Sequence, residues 1–310
     1  MSNKITGSYY TPKNLVIQMV KFISNKKCGN QILEPSSGDG RFIGELLKLN
    51  NFNIDSVELI GSKAKNIQET YVGQNVNSIN LNFLEYAQKC EKRYDLIIGN
   101  PPYIDGKLLD EKSKNISLEL GKEFNLSKSS IRNIWVSFIL ASIKLLKNKG
   151  SIFFVLPSEF LQVDYAKNLR KILELRFNEI EIFVFNKKIF EGIQQNVCLV
   201  YMSNISSEVS QYIKYNIVED DLNNINSYSK IMRNMPLEKW SNAIVSDDNI
   251  EMIKKIESRC ISISDIGGMS PGVVTGANSY FIKNKEFIKK NKLESYVKKI
   301  IPKSSYIANK

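Results

Sequence analysis

Between residues 13 and 203, short apolar runs alternate with stretches of helical period, and this alternation narrows the fold more than any single motif. "TPKNLVIQMVKFISNK" spaces its apolar residues as a helix does, with Thr11 placed to cap it and Pro12 in its first turn, where a missing N–H costs nothing. "QILEP" reads as a short buried strand, "GRFIGELLKL" as a helix, "DSVELI" as a strand and residues 64–71 as another helix; "SINLNF" and "YDLIIGN" add two strands. "IWVSFILASIKLLKNKG" reads as a buried helix ending at Gly150 and "SIFFVLP" as a fifth strand, with "EIEIFVF" and "NVCLVYM" as the last two. The expected fold class is therefore α/β, a mainly parallel sheet joined by right-handed crossovers and covered on both faces. Residues 104–130, polar and weakly periodic, are expected to form a loop. Residues 204–245, rich in Asn and Ser, are expected to be a linker, with a second module following near "ISISDIGGMSPGVVTGANSYFI".

A chain of 310 residues with 43% hydrophobic and 24% charged residues has the composition of a globular protein. Its formal charge of +11 fits a polyanionic partner held through counterion release, although an AT-rich genome also yields many Lys, Asn and Ile codons. The four cysteines, Cys28, Cys90, Cys198 and Cys260, are far apart and read as buried free thiols of a reducing cytoplasm rather than disulfides or metal ligands. There is no histidine, which excludes His-dependent triads, His-zinc sites and the commonest general base. Neither a signal segment nor an apolar run near the ~18 residues of a bilayer span is visible, so no membrane is expected and the location is expected to be cytoplasmic.

Two strand ends carry the chemistry. In "LEPSSGDGRF", Glu34, Pro35, Ser36, Ser37, Gly38, Asp39 and Gly40 lie between a strand and a helix, where a doubly wound sheet holds a nucleotide. Gly38 and Gly40 permit positive φ and close backbone approach, as they would in any tight turn. Glu58 ends the next strand about twenty residues on, the usual place for a carboxylate that takes ribose hydroxyls, or for a solvated strand-end charge. The third glycine of the dinucleotide fingerprint is missing and no phosphate-binding G-x-x-x-x-G-K-[ST] occurs, which favours a nucleoside without pyrophosphate.

The second strand end is "YDLIIGNPPY". An exocyclic aromatic amine is a weak nucleophile because its lone pair is delocalised into the ring. Two acceptors that hold its hydrogens let the nitrogen become tetrahedral. Asn100 offers one through its side-chain oxygen and Pro101 the other through its carbonyl, with Pro102 stiffening the bend. Tyr103 can stack on the base, worth about 1 to 3 kcal/mol. Positioning and electrostatics then replace proton abstraction by a base. Alone, the same four residues also read as a strand terminator with an aromatic plug.

In the order "GSYYTP", "EPSSGDGRF", Glu58, "NFLEY", "NPPY", "GSIFFVLPSEFL" and "IFEGIQQNVCLVYM", residues 7–203 resemble the gamma-class DNA adenine-N6 methyltransferases of restriction–modification systems. "GVVTGANSYFI" is similar to the opening of their target-recognition domain. The resemblance implies a Rossmann-like S-adenosylmethionine-dependent methyltransferase fold with an antiparallel last strand. It divides the chain into a catalytic domain (1–203), a linker (204–245) and a partial target-recognition domain (246–310). It also implies S-adenosyl-L-methionine as donor and a flipped adenine in duplex DNA as acceptor. Thr11 would border the methionine end of the donor, Glu34, Pro35, Ser36 and the Gly38–Gly40 turn would hold its amino-acid portion, and Glu58 its ribose. Asn82, where the family usually has Asp, would accept from the donor's adenine beside Phe83. Asn100, Pro101, Pro102 and Tyr103 would grip the target base, and Phe190 would pack on it, unless it is a core residue. The Lys-rich stretch from Lys283 to Lys303 is expected to touch phosphates or to form a solvated surface helix. A separate specificity subunit, or a missing C-terminal part, would complete recognition. The alternatives are a methyltransferase of RNA guanine or protein glutamine, and a non-catalytic DNA-binding partner.

Overall fold

Leu96, Ile97 and Ile98 are consecutive and all fully buried in the computed structural model, although neighbouring residues of a strand point to opposite faces. Ile97 enters one hydrophobic cluster while Leu96 and Ile98 enter the other. Both faces of this strand are therefore dry, as in a parallel sheet covered by helices on each side. Each such aliphatic side chain contributes about 1.5–3 kcal/mol by leaving water.

The structure describes residues 10–26, 28–185, 197–204, 212–219, 222, 225–231, 239–244, 247–267 and 278–298. The chain divides into two units, Met1–Asp247 and Asp248–Lys310. The first opens with α1 (Lys13–Ser24), β1 (Gln31–Glu34), α2 (Arg41–Leu49), β2 (Asn53–Glu58), α3 (Gly61–Thr70), β3 (Val76–Asn80), α4 (Phe83–Lys89) and β4 (Tyr94–Gly99). It continues with α5 (Glu111–Glu123), α6 (Ile134–Leu145), β5 (Leu146–Pro157), α7 (Lys167–Arg176), β6 (Glu179–Phe185), β7 (Val197–Ser203), β8 (Tyr212–Val218) and β9 (Ile225–Ile231). The strands form one sheet of order β3-β2-β1-β4-β5-β7-β6-β8-β9. From β3 to β5 all pairs are parallel; β7 runs antiparallel between β5 and β6, β8 is parallel to β6, and β9 is antiparallel to β8. The α/β class, the mainly parallel sheet and the antiparallel strand late in the chain are as the sequence leads one to expect.

The helices sort by face. Leu15, Val16, Met19, Val20 and Ile23 of α1 form one apolar stripe, which joins Phe42, Ile43 and Leu46 of α2 in the cluster that receives Leu96 and Ile98. Trp135, Ile139 and Leu140 of α6 and Ile116 and Leu120 of α5 cover the other face. In the second unit, α8 (Asp247–Glu257) is followed by α9 (Ile263–Ile266), α10 (Asn278–Phe281) and α11 (Lys285–Lys290). The Asn284 side chain caps α11 by accepting from the Phe287 N–H at 2.9 Å.

Several local expectations are corrected. Pro12, not Thr11, is the N-cap of α1, and no side chain caps it; the Thr11 hydroxyl accepts from Asn100 instead. Residues 104–130 contain α5, capped by Asp110, which accepts from the Ser113 N–H and hydroxyl; a narrow buried face made its period weak. The long apolar helix stops at Leu145, and Leu146 pairs with Tyr94 as the start of β5. Gly150 is no helix cap: a Cβ there would lie 2.8 Å from the Leu146 side chain and 3.0 Å from the Tyr94 carbonyl. The stretch 204–245, expected to be a linker, carries β8 and β9 and the fully buried Trp240. Cys260 is exposed and only Cys198 is fully buried; all four thiols are free.

Trp240 packs edge-on against Phe160, ring centroids 5.2 Å apart, and its indole N–H donates to the Glu174 carboxylate at 2.6 Å. Trp240→Ala should therefore cost the first unit about 3–5 kcal/mol, read as a lowered urea midpoint. An unchanged midpoint would show that this segment is not part of the folded unit.

Candidate functional site

Moving outward from β1, the chain builds β2 and β3 to one side and β4 and β5 to the other, so the sheet reverses its direction of growth between β1 and β4. Ligands of open α/β sheets bind beyond the carboxyl ends of the strands at such a point. Glu34 is the last residue of β1, Glu58 the last of β2, and Asn100 follows β4. All three line one pocket, together with Thr11, Pro35, Ser36, Gly38, Asn82, Phe83 and Pro102.

The turn after β1 is held from several directions. Gly38 and Gly40 have φ of 57° and 78°, in the left-handed region that favours glycine. The Glu58 carboxylate accepts from the Gly38 N–H at 2.7 Å through one oxygen and from the Ile60 N–H at 2.9 Å through the other. Each oxygen keeps a further lone pair for a ligand hydroxyl. The Ser36 hydroxyl donates to the Asn100 carbonyl at 2.9 Å, and the Asn100 side-chain NH2 donates to the Thr11 hydroxyl at 3.2 Å. Arg41 pairs with Asp39 at 2.7 Å and donates to the Thr11 carbonyl at 2.8 Å.

Glu34 is the electrostatic centre of the pocket. It is 1% exposed, and its Oε2 has no hydrogen-bond partner. Burial, with Asp39 and then Glu58 nearby, holds its carboxyl well above the usual carboxylate range. Glu58, Lys63 and Asp39, the last paired with Arg41, share the lining, so the unpartnered Glu34 oxygen is the group that favours a cationic ligand. Leu59, Ile60, Phe83 and Phe138, the two rings in contact at 4.7 Å, give the same lining an apolar part.

Not every expected residue reaches the pocket wall. Gly40 serves as the N-cap of α2 instead. Pro101 and Tyr103 are also off the wall, and the Tyr103 hydroxyl donates to the Val155 carbonyl of β5 at 3.1 Å. The Asn82 oxygen accepts from the Leu84 N–H at 2.9 Å as the cap of α4, while its NH2 donates to the Ser113 hydroxyl at 2.9 Å. Phe190 lies outside the described residues. Residues missed by sequence reasoning include Tyr10, which covers Gly38 and carries Arg41 and Lys63 over its ring at 5.1 and 5.0 Å. Its signal in the sequence was its place in "GSYYTP", beside Thr11. Ile134 and Phe138 gave none, because α6 is apolar all round.

The family model of the Eco57I restriction-modification methylases matches residues 11–190. This chain belongs to that family. A second model, the C-terminal domain of the type II methyltransferase M.Eco57I, matches residues 237–310. Among curated relatives of this Eco57I-family chain, the type II methyltransferase M.HincII of Haemophilus influenzae is 30% identical over 86% of this chain and 51% of its own length. The chain spans about half the length of the curated relatives it matches. Among solved structures, a DrdV–DNA complex aligns with a TM-score of 0.64 at 17% identity, over 95% of this chain and 38% of that one. A Listeria monocytogenes protein assigned to the class I S-adenosylmethionine-dependent methyltransferases aligns at 0.53 and 15% identity, over 81% and 72%. The fold of this family member is thus that of class I S-adenosylmethionine-dependent methyltransferases.

A carboxyl whose folded pKa is raised favours folding while protonated and loses that contribution as pH climbs from its unfolded value, near 4.5, toward the folded one. Glu34→Gln removes the group that must ionise. In the donor-free protein the variant's melting temperature should match wild type near pH 4 and exceed it increasingly as pH rises. Parallel melting curves at every pH would mean that Glu34 carries its charge without penalty.

Proposed function

We propose that this chain is the methyl-transferring part of a site-specific DNA adenine-N6 methyltransferase of a restriction–modification system, with S-adenosyl-L-methionine as donor and an adenine flipped out of duplex DNA as acceptor. The observation that carries this reading is that Asn100 and Pro102 of "NPPY", at the end of β4, line the acidic pocket at the ends of β1 and β2. Family membership and the relationship to M.HincII support it.

The pocket suits the donor. The buried Glu34 oxygen without a partner fits the ammonium of its amino-acid end, with Pro35, Ser36 and Thr11 alongside. Glu58, oriented by two backbone N–H groups, would take the ribose hydroxyls, and Phe83 with Ile60 would hold the adenine ring. The Asn82 oxygen has a second lone pair for the ring's amino group, although one is spent on Leu84. When bound, the donor supplies a methyl group on cationic sulfur, which departs as a neutral thioether as the N–C bond forms.

The remaining work belongs to Asn100 and its neighbours. The Asn100 side-chain oxygen and the Pro101 carbonyl would hold the two amine hydrogens of the target base, turning the nitrogen lone pair toward the methyl group. Pro102 stiffens the bend. Tyr103 would stack on the base, and Phe190 would pack on it as well. The methylated nitrogen then carries one surplus proton, which passes to solvent water, since the chain has no imidazole to take it. The charge of +11 and the lysines of the 283–303 stretch, among them Lys285, Lys289 and Lys290 of α11, would gather phosphates for the second unit, which we assign as part of a target-recognition domain. Among the described residues no helix is long and apolar enough to cross a membrane.

With labelled donor and duplex DNA, label should appear on adenine N6, and Asn100→Ala should slow transfer by about 10²–10³-fold, the usual loss for one preorganised polar group at a reacting centre. Label confined to cytosine, RNA or the protein itself would overturn the assignment.

A further inference from the structure

A second depression lies in the first unit, behind a thin partition. Ile104 and Ile134 line the acidic pocket, whereas the residues next to them, Asp105 and Asn133, line the other. The two segments form a minimal antiparallel ribbon: Asp105 bridges Asn133, the Ile134 N–H donates to the Ile104 carbonyl at 3.0 Å, and the Gly106 N–H donates to the Arg132 carbonyl at 2.8 Å. Because neighbouring residues of extended chain face opposite ways, one ribbon presents an isoleucine wall to one side and polar groups to the other.

The far wall of this depression comes from the loop after β5, the "SEFL" stretch that the donor pocket does not use. Its Glu159, Gln162 and Asp164 side chains are presented by a rigid backbone. Arg170, only 1% exposed, donates to the Phe160 carbonyl at 2.8 Å and the Val163 carbonyl at 3.0 Å. The Tyr165 hydroxyl donates to Glu159 at 3.1 Å, fixing that carboxylate.

We propose that this depression receives the base edge of a nucleotide flanking the methylated adenine, so that the catalytic unit itself reads one position of the recognition sequence. This rests on the reading of the chain as a DNA adenine methyltransferase. Asp105 lies just past Tyr103 in the chain, and nucleotides neighbouring a base held at Asn100 lie about 3.4 Å apart along each strand of a duplex. The side chains suit a base edge: Gln162 and Asn133 each offer a donor and an acceptor, as an adenine edge requires, and Glu159 and Asp164 accept as a cytosine amine requires. A phosphate would face three carboxylates, and among the described residues no three such groups converge closely enough to hold a metal ion. The lining's two cations, Arg132 and the exposed Lys239, are outnumbered by its three carboxylates, Asp105, Glu159 and Asp164.

The test compares wild type with Gln162→Ala and Asp164→Ala on duplexes randomised on both sides of an adenine, mapping N6-methyladenine by sequencing. At least one variant should lose about tenfold or more of the wild-type preference at a single flanking position, while calorimetry shows donor affinity unchanged. Preferences identical to wild type, or a uniform fall at all sequences, would overturn the inference while leaving the methyltransferase reading intact. A wild-type protein that methylates none of the duplexes would overturn both, and the methylation assay above separates that case.

Discussion

The hydrogen bond from the Ser36 hydroxyl to the Asn100 carbonyl joins the turn after β1 to the turn after β4 across the point where the sheet reverses direction. Asn100 in turn reaches Thr11, ahead of α1, and Glu58 reaches Gly38 from β2. Four segments that are distant in sequence thus become one rigid rim. Group transfer between two bound molecules needs their reacting atoms aligned to within a few tenths of an ångström. Here the alignment is built into the fold, because the same residues that would face the donor and the acceptor also bind each other.

Electrostatics follows from that rim. The fold places Glu34 where water cannot reach it and leaves one of its oxygens unsatisfied, a cost of about 1–3 kcal/mol for a neutral group and more for a charged one. Such a debt in a native structure points to a ligand that settles it. Asp39 is paired with Arg41, so it is the unsatisfied Glu34 oxygen, with Glu58 nearby, that a positively charged ligand group would best relieve. The proposed cationic donor and polyanionic acceptor would make opposite demands, which an acidic pocket in a chain of positive overall charge would meet.

What could be read in advance was whatever leaves a local trace. Gly38 and Gly40 announced a turn with positive φ, which the backbone adopts, and the run of apolar residues before Asn100 announced a strand buried on both faces. Asn82 was placed in the pocket, but its capping of α4 and its bond to Ser113 depend on α5, whose narrow buried face hid it among polar residues. The strands β8 and β9 and the buried Trp240 lay in a segment whose Asn and Ser content resembles a linker, although Ile213, Tyr215 and Val218 of β8 enter the core. The sharing of the Ile104 and Ile134 ribbon between two depressions is a fact of side-chain direction that spacing alone does not reveal.

The phenolic anchor of Tyr103 has a thermodynamic meaning. Its hydroxyl is tied to the Val155 carbonyl and its ring packs against both hydrophobic clusters. A free aromatic side chain brought into contact with a partner surrenders rotational freedom, commonly about 0.5–1.5 kcal/mol for a residue immobilised at an interface. Here that entropy is surrendered during folding, so any planar group that met the ring would find a surface already stilled.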